Sequence, residues 1–304
     1  MAAVASEHEF LTMRLGLIGC GSLGTAILQG INTDNNGTKP SPVNLENCAI
    51  SVKSEDSARL LRNTFSGFNA PLSVYAGDNI QVVEDSDIIL LAVPPDDVCD
   101  VLSTPGMRGA LQGKLLVSLA AGVTRSQINT ALYGDSSATD SIEDRCHVMR
   151  AMPNLAASVG QSMSALNVSN PPPPQQLANF AQALFEKIGT AIYVPEQSFD
   201  ACTFLCGSTP AAVALFCDAM IDGAVAAGVS RKAAQPIIVQ ILKSAAALMQ
   251  NGQSPSDLRE HVCAQPGCTI GAMMVLEKGG ARGVIAGATH DGILLASKLG
   301  QKTP

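Results

Sequence analysis

The sequence predicts an α/β fold class, a doubly wound parallel sheet followed by an all-helical domain, on three observations. Short apolar runs recur through the first two thirds of the 304 residues, as expected of parallel strands buried on both faces. The first of them runs straight into Gly19, Gly21 and Gly24 at the spacing G-x-G-x-x-G. Beyond Glu196 no convincing strand occurs, and helical segments follow one another with glycine, serine and proline punctuation.

Residues 14–24, RLGLIGCGSLG, read as a strand at 15–18, a tight turn at Gly19 and a helix opening near Ser22. Gly21 lets backbone approach a pyrophosphate, Gly24 lets helix pack on strand, and the helix N-terminus offers free N–H groups and positive dipole to the anion. This is the pattern of a Rossmann-like nucleotide site. Residues 32–47, rich in Asn, Pro, Gly and Ser, read as a surface loop, and 48–52 (CAISV) as the second strand. At the end of that strand an acidic residue would bond the ribose hydroxyls of NAD, whereas a cation or hydroxyl suits the extra phosphate of NADP. Here Lys53 and Ser54 come first, favouring NADPH, and Glu55 and Asp56 follow, keeping NADH open.

The alternation continues with a helix at 57–63, a strand at 72–75 and the apolar run 87–93 (DIILLAV), ended by Pro94 and Pro95. Strand 114–119 (KLLVSL) leads into Ala120, Ala121, Gly122 and Val123; small residues beyond a strand's carboxyl end suit the close approach of a flat nicotinamide ring. Strand 146–150 ends in Met152, Pro153 and Asn154. Strands at 162–167 and 191–194 bracket a helix at 175–188, which the proline run 171–174 introduces.

The later helices are expected at 210–227, 231–250, 256–262, 269–278 and 281–299. Several are apolar nearly all round, notably AAVALFCDAMIDGAVAAGV, and one small helical domain cannot bury all of that surface alone. The surplus points to a subunit interface and a homo-oligomer. The expected organisation is a flexible tail at 1–12, a dinucleotide-binding domain at 13–195 and an all-helical dimerisation and substrate domain at 196–304.

A net charge of −7 and the lack of a basic stripe with interleaved aromatics argue against nucleic acid. No stretch of about 18 residues lacks polar interruption, so no membrane partner is expected. Nine cysteines without a C-x-x-C pair and four histidines predict neither a disulfide framework nor a metal site, and suggest a reducing compartment. The first twelve residues carry Glu7 and Glu9 and no basic, apolar leader, so the expected location is cytoplasmic.

GLIGCGSLG, residues 91–93 with Pro95, AAGV at 120–123, Met152-Pro153-Asn154, Gly207-Ser208 with Pro210-Ala211, Asp218 with Asp222, Pro266-Gly267 with Thr269-Ile270, and residues 277–280 with Arg282 together resemble pyrroline-5-carboxylate reductase, over about residues 13–299 in that family's order. The resemblance implies NADPH- or NADH-dependent reduction of 1-pyrroline-5-carboxylate to L-proline and a helical domain that dimerises. It also implies cofactor contacts at Gly19, Cys20, Gly21, Ser22, Leu23, Gly24, Asn79, Ala92, Val93, Ala120, Ala121 and Gly122; Lys53, Ser54, Pro94 and Asn154 are further cofactor-binding candidates. Substrate contacts fall at Ser208, Gly267, Cys268 and Thr269, with Thr269 as the catalytic candidate. The chain departs from the family pattern at Pro94, where lysine is common, at Thr209, where glycine is common, and through residues 263–268, where Ser-Pro-Gly-Gly is common.

The chemistry supports the same assignment. Hydride delivery to an iminium creates no negative charge, so the site must hold the ring, bind its carboxylate and hydrogen-bond its nitrogen rather than supply a strong base. Three other readings stay open. Asp218 and Asp222, at i and i+4, could hold Mg²⁺ as in acid reductoisomerases, but lack a convincing further carboxylate and read as solvated or cap-bonding; a hydroxyacid dehydrogenase would want lysine and asparagine on the helix after Gly207, which has neither; and a redox sensor would use thiols such as Cys263 and Cys268 without turnover.

Overall fold

The computed structural model describes residues 11–33, 42–134, 145–263 and 266–300. An eight-stranded sheet has the order β3-β2-β1-β4-β5-β6-β7-β8. The strands are β1 (Leu11–Ile18), β2 (Val43–Val52), β3 (Leu72–Ala76), β4 (Ile88–Leu91), β5 (Leu115–Ser118), β6 (His147–Met152), β7 (Ser162–Asn167) and β8 (Gly189–Tyr193). All neighbours are parallel except β6 and β7, where Arg150 faces Asn167 and Met152 faces Ala165. The apolar runs of β4 and β5 are strands buried on both sides, whereas the edge strand β8 leaves Ile192 and Tyr193 exposed. In β4, Ile88 and Leu90 enter one core layer while Ile89 and Leu91 enter the other, the period-two consequence of the pleat.

Helices α1 (Ser22–Asn32) and α7 (Gln175–Lys187) cover one face, where Ile27, Leu28, Phe180 and Phe185 are fully buried against Leu15, Leu17 and Leu90. On the other face lie α3 (Asn79–Glu84), α4 (Val98–Leu102), α5 (Met107–Ala110) and α6 (Arg125–Tyr133), packing Val82, Val98, Leu111 and Ile128 on Ile18 and Leu116. Helix α2 (Glu55–Thr64) packs on β2 and β3.

Three expectations change. Strand β1 takes in Leu11 and Thr12, placed in the tail by the sequence reading, and β2 takes in residues 43–47, placed in the loop; these ends pair, Leu11 with Val43 and Met13 with Leu45. Burial alternates along this extension, Val43 inside and Asn44 outside, so its polar half looks like loop composition. A helix α8 (Glu196–Gly207) also precedes the first expected one. Of the expected tail, residues 1–10 lie outside the described residues, as do 34–41 of the loop.

By compactness the chain divides into residues 1–207 with 293–304, and residues 208–292. Helix α8 belongs to the first unit: Phe199, Thr203 and Cys206 are buried, and α8 packs on β7. Arg150, on β6 and only 1% exposed, bonds Glu196 and Asp200 of α8 at 2.8 Å each and lies 4.1 Å over the ring of Phe199. The second unit is helical: α9 (Thr209–Ala226), α10 (Arg231–Gln250), α11 (Pro255–Val262), α12 (Cys268–Lys278) and most of α13 (Ala281–Ala296). Helices α9 and α10 pair as a hairpin. Ser230 caps α10 by accepting from Ala233 N–H, and Ser254 forms a capping box with Asp257 at α11.

Candidate active site

The carboxyl ends of β1, β2, β4 and β5 converge where the strand order reverses, between β1 and β4, the place at which open parallel sheets bind ligands. Backbone bonds tie this edge together: Gly19 N–H donates to Ser51 O, Ala92 N–H to Ile18 O and Leu119 N–H to Leu91 O. Gly19 turns the chain with φ +82°, and a Cβ there would sit 2.8 Å from Val93 Cγ1 and 2.9 Å from Ala92 O. Only glycine fits.

Past the turn, α1 begins with Gly21 at its N-cap, without a side-chain cap and without an acidic residue in its first turn. The first intrahelical bond is from Thr25 N–H to Gly21 O, so the N–H groups of Ser22, Leu23 and Gly24 precede the ladder. A Cβ on Gly21 would meet nothing within 4 Å. An open floor, donors that helix geometry leaves over and a positive dipole fit a pyrophosphate. A cavity of about 500 Å³ opens here. It is lined by Gly19, Cys20, Gly21, Ser22, Leu23, Gly24, Lys53, Ala92, Val93 and Pro94 from the sequence reading, and also by Val52, Ser57, Asp97 and Leu119.

The four additions carry no local signal of a site: Val52 and Leu119 belong to apolar strand runs in the sequence, and Ser57 to a helix. Asp97 sits in the short 3-10 turn Pro95–Asp97, which begins with Pro at its first position, and its relation to the cavity depends on tertiary structure. There its carboxylate accepts from Lys53 Nζ at 2.8 Å. Glu55, the alternative ribose reader, is held by Arg62 Nη1 at 2.6 Å.

Several predicted residues are placed elsewhere. Ser54 caps α2, its Oγ accepting from Ser57 N–H at 3.2 Å. Asn79 opens α3, and its Oδ1 accepts from Ser51 Oγ at 2.7 Å. Asn154 is buried and its amide is consumed in structure: Nδ2 donates to Cys206 O at 2.9 Å and Oδ1 accepts from Ala156 N–H at 3.0 Å. Ala120, Ala121 and Gly122 follow β5; Ala120 is buried, and Gly122 has φ +73° with Leu299 O directly against it. Burial pushes the Cys20 thiol above its ordinary value, opposed by its bond to Thr25, so it lines the cavity as a neutral group.

In the second unit, Gly267 is the N-cap of α12, with no side-chain cap and no acid in the first turn. Cys268 and Thr269 are therefore the first two helical residues, and Thr269 is half-buried. Ser208 is the N-cap of α9, again without a side-chain cap. Asp218 and Asp222 are exposed and both pair with Arg231: Nη1 reaches Asp218 at 3.2 Å and Nη2 bonds Asp222. A guanidinium between two carboxylates takes the place a cation would need.

Residues 196–299 match the family model for pyrroline-5-carboxylate reductase dimerisation, and residues 14–122 match that for NADP oxidoreductase, coenzyme F420-dependent. A pyrroline-5-carboxylate reductase of Lophium arboricola is 38% identical over 99% of this chain and 97% of its own. That of Schizosaccharomyces pombe is 32% identical over 94% and 98%. Among solved structures, the 1-pyrroline-5-carboxylate reductase of Streptococcus pyogenes superposes with a TM-score of 0.77 at 26% identity, covering 95% of this chain and all of that one. The Plasmodium falciparum pyrroline carboxylate reductase, solved with NADP bound, has the same fold, with a TM-score of 0.77 at 22% identity over 95% and 98%. With its glycine turn, its strand order and its full-length kinship all agreeing, the chain belongs to the pyrroline-5-carboxylate reductase family.

Proposed function

We propose that the chain reduces the cyclic imine 1-pyrroline-5-carboxylate to L-proline with NADPH, NADH serving less well. The observation that carries the nucleotide half is the uncapped start of α1 behind the Gly19 turn. The substrate half rests on the family membership and its full-length relatives. A reduced nicotinamide supplies the hydride that the imine carbon accepts. The chain's residues bind and orient: the first turn of α1 holds the pyrophosphate, Lys53 faces the ribose phosphate, and the small residues after β5 leave room for a flat ring. The α12 N-terminus offers uncommitted N–H groups to the substrate carboxylate, and the Thr269 hydroxyl hydrogen-bonds the ring nitrogen, which ends as the amine.

The exposed apolar surface of α9 to α13 supports a homodimer or a multiple of dimers, the match to a dimerisation model pointing the same way. All nine cysteines are free thiols, which supports a reducing, cytoplasmic setting. The test is to incubate the protein with NADPH and the imine and follow the loss of reduced-nicotinamide absorbance. Turnover with proline as product is expected; cofactor binding without turnover would overturn the enzymatic reading.

A further inference from the structure

Lys53 follows β2 and Asp97 follows β4, the two strands that flank β1. Their side chains meet at 2.8 Å, and both line the cavity that the Gly19 turn opens. The ion pair therefore bridges the carboxyl end of β1, over the place where the adenosine half of a dinucleotide must enter. Among the described residues, the arginines of α2 are committed to α2 and β3: Arg59 to Asp56 at 2.8 Å, and Arg62 to Glu55 and to Val74 O, each at 2.6 Å. So is the acid expected to read ribose hydroxyls, since Glu55 is the one that Arg62 holds.

We propose that Asp97 is the cofactor-selecting residue: its carboxylate competes with the 2′-phosphate of NADPH for Lys53, and accepts a hydrogen bond from the free 2′-hydroxyl of NADH. This rests on the reading of Lys53 as the phosphate ligand. A ribose phosphate approaching Lys53 must displace an anion already bonded to the ammonium and then sit near that displaced carboxylate. A ribose hydroxyl faces neither cost, because it is a donor and Asp97 an acceptor. Asp97 thus narrows the NADPH-to-NADH preference that Lys53 sets. The pair is largely exposed on the lysine side, so its effect is modest and salt-dependent.

The test uses binding alone, by calorimetric titration of the full-length protein with 2′,5′-ADP, which carries the ribose phosphate, and with ADP, which does not. Asp97→Asn keeps the side-chain shape and removes the charge; about two- to fivefold tighter 2′,5′-ADP binding is expected, with ADP unchanged or weaker. The gain should shrink as salt is raised and in a Lys53→Ala background. Asp97→Ala should move 2′,5′-ADP the same way. If Lys53→Ala weakens both nucleotides equally, Lys53 does not read the phosphate, and the proposal falls with that reading. If Lys53→Ala weakens 2′,5′-ADP selectively but Asp97→Asn and Asp97→Ala leave its affinity unchanged or lower, the phosphate reading stands and the role of Asp97 is refuted.

Discussion

The buried cation on β6 makes an asymmetric prediction. Arg150 is 1% exposed, whereas the side chains of its two partners on α8 are 42% and 29% exposed, Glu196 and Asp200 respectively. Its Nε has no hydrogen-bond partner, so the two carboxylates and the Phe199 ring are what compensate its charge. The double change Glu196→Gln with Asp200→Asn keeps hydrogen-bond acceptors but leaves the guanidinium inside without a counter-charge. Breaking a buried pair from one side costs about 3–5 kcal/mol; with the acids partly wet and acceptors retained, about 2–4 kcal/mol is expected here. Arg150→Met instead removes the buried charge, fills similar volume and leaves two carboxylates that water already reaches, so its expected cost is about 0–1.5 kcal/mol. Urea unfolding followed by circular dichroism reads both, since the chain has no tryptophan to report by fluorescence. If Arg150→Met proves the more costly variant, desolvation of the guanidinium does not dominate this network and the reasoning is wrong.

Three further outcomes are expected. Burial pushes the Asp87 carboxyl up, but the bonds from Arg14, including Nη2 to Oδ1 at 2.6 Å, outweigh it and hold Asp87 below its ordinary value of 3.8; its contribution is therefore complete above that value and lost as pH falls through the folded one, so acid-unfolding curves of Asp87→Asn should be flatter below about pH 4. Gly122→Ala would put a Cβ 1.8 Å from Leu299 O at φ +73°, and a melting temperature lowered by several degrees is expected, about 2 kcal/mol or more. Thr269→Ala should lower kcat/KM about ten- to hundredfold, the worth of a hydrogen bond to a charged nitrogen, without weakening NADPH in a direct titration; Thr269→Ser should restore most of it, and Thr269→Asp, which suits the first turn of a helix but repels a carboxylate, should fold and lose activity.

What was legible in the sequence follows from how local each cause is. Ile88 to Leu91 could hardly be anything but a doubly buried strand, and the glycines of the first turn stand within six residues of one another, although the atoms that exclude a Cβ at Gly19 belong to the distant Ala92 and Val93. The short helices α3 to α5 give too few turns for a periodic signal, and the four-residue α5 gives barely one. In α8 the inward stripe is Phe199, Thr203 and Cys206, properly spaced for a helix but with a hydroxyl in the middle, so its apolar face is blurred. The reversal of β7 leaves no trace in composition, because parallel and antiparallel buried strands use the same residues. Asp97 carries no local signal for another reason: its ion-pair partner Lys53 lies 44 residues earlier, and the meeting depends on two strands being seated either side of a third.

The helical unit shows the same dependence at the level of subunits. Residues 196–226 are long and apolar enough, by length and composition, to cross a membrane. Two features argue that this surface is meant for protein. The stretch breaks at Ser208, and its first half, α8, already spends its inward face on the sheet, with Phe199 at 1% exposure and the Arg150 network pinning it there. Its second half belongs with α10, α12 and α13, which also leave large side chains uncovered, Leu215 at 73% and Val275 at 71% among them. At about 25 cal/mol per Å², side chains of this size each stand to gain about 1–2 kcal/mol from burial, so a handful of them is comparable with the net stability of an ordinary domain. The residues that match the dimerisation model are these same helices, and α12, which carries Thr269, is one of them. Association and α12 are thereby coupled: whatever buries Met274 and Val275 also fixes the helix that opens at Gly267, Cys268 and Thr269, the residues proposed to meet the substrate.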